Sequence, residues 1–350
     1  MLRARARREV ARLDRLTPAR TQLHILLGLL HDAQATPFGR EHDFQRIRTE
    51  ADFRRLVPLQ TTADLQRQQA ATPSIRGAKN LRTARRAAWE AAVAFIVGAR
   101  PQARLLSGRF VVLSAEENSG VAMPWLLRPY VLHDTKTTAE TLVQTPVTCL
   151  CGSAEEVAAL LDRALRITGR ERATEIWPGL AAVLYTRESP TDGPAPRLRS
   201  LLDDSVLLLE THSSPAGPVA VEDPRAGCLS LLFGHGAYFE FTPAAEAGKL
   251  DAARHGLDEV EPGVVYEMTM SSLSGVWACR TGMAVRFERR GSPLFRWVEM
   301  PAPAPVVESR KLLIRPACPP QAPHRHIAGI PAAPPEKFAH IPWSTHAGRG

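Results

Sequence analysis

Hydrophobic residues in the first part of the chain recur at helical spacing. Within residues 7–34 the leucines fall three and four positions apart, and Pro18 marks a break or the start of a second helix. This pattern predicts an N-terminal helical segment over residues 1–35. Further helices are predicted over 52–56, from Thr61 onwards, and over 82–98.

The middle of the chain alternates apolar runs with amphipathic stretches. Four runs are predicted to be buried strands, at residues 108–114, 146–152, 180–185 and 205–211. An amphipathic helix is predicted over 154–168. Strands that alternate with helices are typical of an α/β fold with a mostly parallel central sheet flanked by helices. We assign this α/β core to residues 36–227.

After residue 227 the pattern changes to short β segments, which predicts a smaller β-rich subdomain over residues 228–300. The segments lie at 228–233, 237–242, 264–271, 275–279 and 283–288. Residues 301–350 then hold 11 of the 29 prolines. Because proline has no backbone N–H and a fixed φ, this tail is predicted to be extended or disordered.

Composition excludes several classes of protein. Of the 350 residues, 44% are hydrophobic and 23% are charged, which is typical of a globular protein. The net charge of +8 comes from arginine enrichment and is weak support for nucleic-acid binding, so we expect no nucleic-acid partner. The longest apolar runs are shorter than the roughly 20 residues that cross a bilayer, so we expect no membrane partner.

Cysteine usage gives no evidence for a disulfide framework or a metal site. The five cysteines are odd in number and scattered along the chain. Cys149 and Cys151 form a pair without further ligands at metal-binding spacing, so we interpret them as positions of a buried strand. The expected location is a reducing, bacterial-type cytoplasm.

Four stretches in a fixed order resemble one known family. They are Thr36–His42 with Phe53–Leu59, Arg170–Leu180, Leu209–Gly217 leading to Tyr238–Pro243, and Val260–Glu267 running to Phe287. Together they resemble the auxin-responsive promoter family, also called Gretchen Hagen three. Its members are ATP-dependent acyl acid–amino acid amido synthetases, ligases of the adenylate-forming superfamily. The resemblance implies an adenylate-forming-enzyme-like large domain, ATP and Mg²⁺ as the family's cofactors, and a small carboxylic acid or an adenine nucleotide as ligand.

The resemblance also implies which residues are remnants of a nucleotide site. The family's hydroxyl-rich phosphate loop corresponds to Ala71–Asn80, and its Tyr–Ser–Glu–Gly motif corresponds to residues 212–217. The position of its ribose-binding Asp is held by Met283. The candidate nucleotide-binding residues are Ser74, Lys79, His212, Ser213, Ser214, Gly217, Trp277, Gly282 and Met283. We assign no catalytic residue and no metal ligand.

Several of these positions have lost the groups that the family uses. Ala216 replaces an acidic residue that helps to organise the metal, and a thioether at Met283 cannot accept the ribose hydrogen bonds of a carboxylate. The family's C-terminal lid, with its catalytic lysine, is expected to be absent because the proline-rich tail follows Met300. The paired acids Asp203–Asp204 and Glu222–Asp223 are interpreted as surface charge.

These changes leave three hypotheses about function. The chain is a divergent synthetase, a catalytically degenerate relative that serves as a small-molecule-binding or interaction domain, or a product without a selected activity. The altered residues favour the loss of catalysis, because contacts that act together in a site are not replaced by keeping the scaffold. The substrate and the oligomeric state are not determined by the sequence.

Overall fold

The computed structural model describes residues 2–61, 63–64, 75–113, 129–132, 135–186, 189–190, 195–214, 216–249, 252–272 and 274–301. Helices α1 to α9 are Leu2–Arg15, Pro18–Ala33, Pro37–Glu41, Glu50–Leu56, Ile75–Ala99, Thr135–Leu142, Ala154–Thr168, Ala173–Ile176 and Ala195–Leu201. Strands β1 to β11 are Arg109–Leu113, Pro129–Leu132, Val147–Ser153, Ala182–Thr186, Leu207–Ser214, Gly217–Asp223, Cys228–Leu231, Ala237–Pro243, Val265–Ser272, Val276–Phe287 and Leu294–Val298. The predicted proline-rich tail lies outside the described residues after Pro301.

The strands form one continuous sheet of 11 strands in the order β2-β1-β3-β4-β5-β6-β7-β11-β10-β9-β8. Strands β2, β1, β3, β4 and β5 are parallel, and the remaining pairs are antiparallel. β5 belongs to both parts, since Leu207–Glu210 pairs with β4 and Thr211–Ser214 pairs with β6. The predicted α/β class is confirmed, and the β-rich part is an extension of the same sheet.

The four strands predicted to be buried are confirmed as β1, β3, β4 and β5. The segments predicted at 275–279 and 283–288 are one strand, β10, whose pairing with β9 shifts register at two places. β2, β6 and β11 are strands that the sequence pattern did not predict. The interpretation of Glu222–Asp223 as surface charge is wrong. Asp223 is 5% exposed, and its carboxylate forms an ion pair with the Arg225 guanidinium at 2.7 Å.

Helices cover both faces of the parallel part of the sheet. The side chains of α7 pack on one face with Val111, Leu150 and Val183, and those of α5 pack on the other with Phe110 and Leu184. α7 begins at a capping box between Ser153 and Glu156 and ends at Gly169, whose φ of +65° favours glycine. Parallel sheets require such cover because both of their faces are apolar.

The antiparallel part is covered by the N-terminal helices α2 to α4. Gln22 of α2 is buried and donates to the carbonyls of Phe233 and Ala237, each at 2.9 Å. β10 bulges at Trp277–Ala278, where Ala278 has a φ of 42°. The bulge places the Trp277 ring among the aromatic residues of this helical layer, with the ring of Phe44 4.6 Å away.

A partly buried ion-pair cluster joins α4 to the antiparallel part. The guanidinium nitrogens of Arg54 approach three carboxylates. The distances to the nearest carboxylate oxygen are 3.0 Å for Glu50, 2.8 Å for Glu259 and 3.6 Å for Glu240. Arg254 pairs with Glu240, and these two side chains are 5% and 1% exposed. Two guanidinium groups therefore face three carboxylates, so the cluster has a surplus of negative charge.

The cluster predicts a pH-dependent stability. Burial raises the pKa of Glu50 from 4.5 to about 7, so the folded state favours the protonated form. Stability from this group is therefore greatest below pH 4.5 and decreases as the pH rises towards 7. We expect Glu50→Gln to be more stable than the parent at pH 8, by about 2–3 kcal/mol. The difference should vanish near pH 4.5. Urea denaturation at both pH values measures it, and a gain that is equal at both would contradict the assignment.

None of the helices within the described ranges has the length and hydrophobicity needed to cross a membrane.

Candidate functional site

A cavity of about 270 Å³ lies where β3, β4 and β5 end, beside α5. We call it cavity A. Its strand wall includes Cys151, Thr186 and residues 211–214, and its helix wall includes Arg85 and Trp89. In sheets of this kind, ligands bind beyond the carboxyl ends of the parallel strands, at the point where the topology changes. β5 is that point here, because its second half pairs with an antiparallel strand.

Four of the predicted site residues line cavity A together: His212, Ser213, Ser214 and Gly217. A tight turn between β5 and β6 brings them together. Ser214 Oγ accepts from the Ala216 N–H at 3.2 Å, and Gly217 has a φ of 136°. A side chain at position 217 would be strained at this φ, which explains the glycine.

His212 is fixed on two sides. Its Nε2 bonds the carboxylate of Glu210, and its ring meets Trp297 edge-to-face with centroids 4.4 Å apart. Glu222 completes the arrangement by accepting from the Glu210 N–H at 2.9 Å. The imidazole is 6% exposed. The His212 ring is therefore held in one orientation in the wall of the cavity.

The other predicted site residues lie away from cavity A or outside the residues that the structure describes. Trp277 is 3% exposed in the helical layer, and Met283 is 7% exposed in the antiparallel core. Gly282 is exposed in β10, and none of these three lines cavity A. Lys79 lies in α5 but its side chain is not described, and Ser74 lies outside the described residues.

Arg85 and Trp89 are site residues that the sequence analysis missed. They share one face of α5 with Ala88 and Ala92, and all four line cavity A. Arg85 is partly buried and has no ion pair or hydrogen bond within the described part of the chain. The sequence did contain a signal for this group. Its members are three, four and seven positions apart, and residues with that spacing lie on one face of a helix.

The cavity wall holds a neutral thiol and one cation. Burial raises the pKa of Cys151 to about 12, so this thiol stays protonated and is not an activated nucleophile. The Arg85 guanidinium is always charged. Cavity A is therefore suited to an anion.

The residues around cavity A do not fit a Mg²⁺ ion held by the protein. Mg²⁺ in nucleotide sites takes one or two carboxylates together with phosphate oxygens. The Glu210 carboxylate bonds His212, and position 216, which the motif resemblance equates with an acid of the family, holds a buried alanine. Among the described residues, no group of three or more His, Cys, Asp or Glu side chains is placed to bind a metal.

Two family models match the chain. Residues 11–68 match the GH3 family N-terminal domain, and residues 230–299 match the GH3 family central domain. GH3 is the Gretchen Hagen three family, so the resemblance carried by the sequence motifs is confirmed. No curated protein sequence matches the chain.

Solved structures of the adenylate-forming type share the fold. The AtGH3.15 acyl acid amido synthetase in complex with 2,4-DB superposes with a TM-score of 0.62 at 13% identity, over 84% of this chain and 70% of that one. An open conformation of 2-hydroxyisobutyryl-CoA ligase in complex with 2-HIB-AMP and CoA gives a TM-score of 0.58 at 14% identity, over 80% and 68%. At these identities the likeness establishes the fold alone.

Proposed function

We propose that this chain, a member of the GH3 family, binds a small carboxylic acid in cavity A and has lost the adenylation chemistry of its synthetase relatives. The observation that carries the proposal is Arg85, a partly buried cation on the cavity wall that has no anionic partner among the described residues. A cation that is removed from water without a partner is unfavourable. A bound carboxylate would supply that partner.

The surroundings of Arg85 suit an acid with an apolar body. A guanidinium binds a carboxylate through two parallel N–H···O bonds. Trp89, Leu184 and Val221 provide apolar wall beside it, and Thr186 adds a hydroxyl group. The solved relative with 2,4-DB and the ligase with an acyl adenylate are consistent with an acid ligand on this fold.

The loss of adenylation chemistry is supported by the positions that no longer carry polar groups. Ala216 and Met283 stand where the family has carboxylates, and both are buried. Neither lines cavity A. We therefore infer a binding function on a synthetase scaffold.

Arg85→Gln tests the proposal directly. Charge-assisted hydrogen bonds contribute about 1.5–3 kcal/mol, so we expect the variant to bind phenylacetate about 10- to 100-fold more weakly in isothermal titration calorimetry. Arg82→Gln is the matched control, since Arg82 is exposed on the same helix and does not line the cavity. Equal affinity of all three proteins, or tighter binding of AMP than of any acid, would overturn the acid assignment.

A further inference from the structure

A second cavity, of about 450 Å³, lies beside the turn that joins β10 to β11. We call it cavity B. Its polar wall includes this turn, residues 289–293, and Ser230 of β7. Its apolar wall comes from the junction of α1 with α2 and from the end of β7, and it consists of Leu13, Leu16, Leu231 and Phe233.

The turn is held in place by the segment that precedes β9. The Gly291 N–H donates to the Leu257 carbonyl at 3.1 Å, and Arg290 Nε donates to the Asp258 carbonyl at 2.6 Å. Gly291 has a φ of +68°, in the left-handed region that favours glycine. Arg290 is therefore anchored through Nε, and its two terminal nitrogens are free to bind a ligand.

Two adjacent arginines on this turn have no anionic partner among the described residues. Arg289 forms no ion pair or side-chain hydrogen bond there, and the side chain of Arg290 bonds only the Asp258 carbonyl. Both line cavity B. Because neighbouring like charges repel each other, an anion bound between the two guanidinium groups would be stabilised by both.

A third arginine of the cavity wall is already neutralised. Arg225 donates to both oxygens of Asp14 at 3.1 Å, and to Asp223 at 2.7–3.1 Å. The bonds to Asp223 and Asp14 raise the pKa of Arg225, so this group stays charged. Arg225 and its two acids together carry one negative charge, whereas the turn carries two positive charges. The positive end of cavity B is therefore the turn.

Two hydroxyl groups lie at the same end of the cavity. Ser292 Oγ accepts from the Leu294 N–H at 3.2 Å, so its own hydrogen can be donated to a ligand. Ser230 lies directly opposite Leu294 in the pairing of β7 with β11. Its hydroxyl forms no side-chain hydrogen bond within the described ranges. The turn and β7 therefore supply four donor side chains to one end of cavity B.

We propose that cavity B binds a phosphate monoester with a small apolar body. Such a group carries a charge of about −1.5 to −2 at neutral pH and has three strong acceptor oxygens, which match two guanidinium groups and two hydroxyls. Arginine binds phosphate through two parallel hydrogen bonds. A carboxylate has one charge and two oxygens, and it would leave part of this donor set unused. The ester's apolar body would contact the leucines and Phe233 of the opposite wall.

Isothermal titration calorimetry of the full chain with hexyl phosphate tests the inference. Inorganic phosphate, which lacks the apolar body, and heptanoate, which lacks the phosphate, are the matched ligands. We expect hexyl phosphate to bind at least about 10-fold more tightly than either, since each of them loses one set of contacts.

The arginines of the turn are tested by two variants. Arg289→Gln removes no contact within the described part of the chain, and it should weaken hexyl phosphate at least about 10-fold. Arg289→Gln combined with Arg290→Gln should weaken it further. Arg286→Gln is the matched control, because Arg286 is exposed on β10 and does not line the cavity. It should bind like the parent, and circular dichroism checks that each variant is folded.

The outcome is separable from that of cavity A. Arg85→Gln should leave hexyl phosphate binding unchanged, so a loss of acid binding in that variant concerns only the proposed function. Failure of hexyl phosphate to bind would overturn the inference. Unchanged affinity in the double variant, loss of affinity in Arg85→Gln, or equal affinity for heptanoate would also overturn it.

Discussion

The unmodified protein is expected to show no acid-dependent exchange of pyrophosphate into ATP above background. A single donor aimed at the charge of a transition state is worth about 10²–10³ in kcat. By the resemblance of the motifs, Ser74 and Lys79 stand where the family has a hydroxyl-rich phosphate loop, and Ala216 and Met283 stand where it has acids. We therefore expect a rate at least about 10³ below that of an active family member assayed alongside.

Restoring one carboxylate should not recover exchange. Met283 lies in the antiparallel core at 7% exposure and does not line cavity A, so Met283→Asp would place a charge in apolar surroundings. Ala216→Glu tests the other altered position, and circular dichroism shows whether each variant is folded. Exchange by the unmodified protein with any acid in a panel would contradict the proposed loss of catalysis. That result would mean that the protein is an active synthetase.

Arg254→Met is expected to destabilise the protein by about 3–5 kcal/mol, because removing one partner of a buried ion pair leaves the other charge unpaired. The partner is Glu240, which is 1% exposed and has its other oxygen 3.6 Å from Arg54. Arg254 also donates to the carbonyl of Val57 at 2.6 Å, so its loss frees the chain that follows α4. Urea denaturation at neutral pH measures the change.

The matched control is Arg296→Met. Arg296 pairs with Glu288 at 2.8 Å, but the two side chains are 51% and 63% exposed. Exposed pairs contribute about 0–1 kcal/mol, so this variant should unfold close to the parent. A loss of similar size in both variants would mean that burial of the Arg254–Glu240 pair does not govern its contribution.

Local sequence signals predicted several elements to within a residue or two. Helix α7 is predicted at 154–168 from its amphipathic repeat, and it is observed there. The structure adds that Ser153 and Gly169, which cap its two ends, also act within a few residues. The motif from His212 to Gly217 likewise predicted residues that meet in one cavity, since a single turn joins them. Such features depend on neighbours along the chain, which the sequence displays.

Other features were decided by contacts between distant parts of the chain. β6 contains Pro218 and only a short apolar run, and it is a strand because β5 and β7 pair with it on both sides. Arg85 became a site residue only when α5 packed beside the ends of three strands.

The positions of the predicted site residues near 280 were also decided by contacts between distant parts of the chain. The register shifts in β10 place Trp277 in the helical layer, and Met283 lies in the core. The sequence by itself indicated the resemblance to the GH3 family, the α/β class and the local elements. Tertiary packing decided which side chains from distant parts of the chain share a cavity, because burial and pairing depend on residues far apart in the chain.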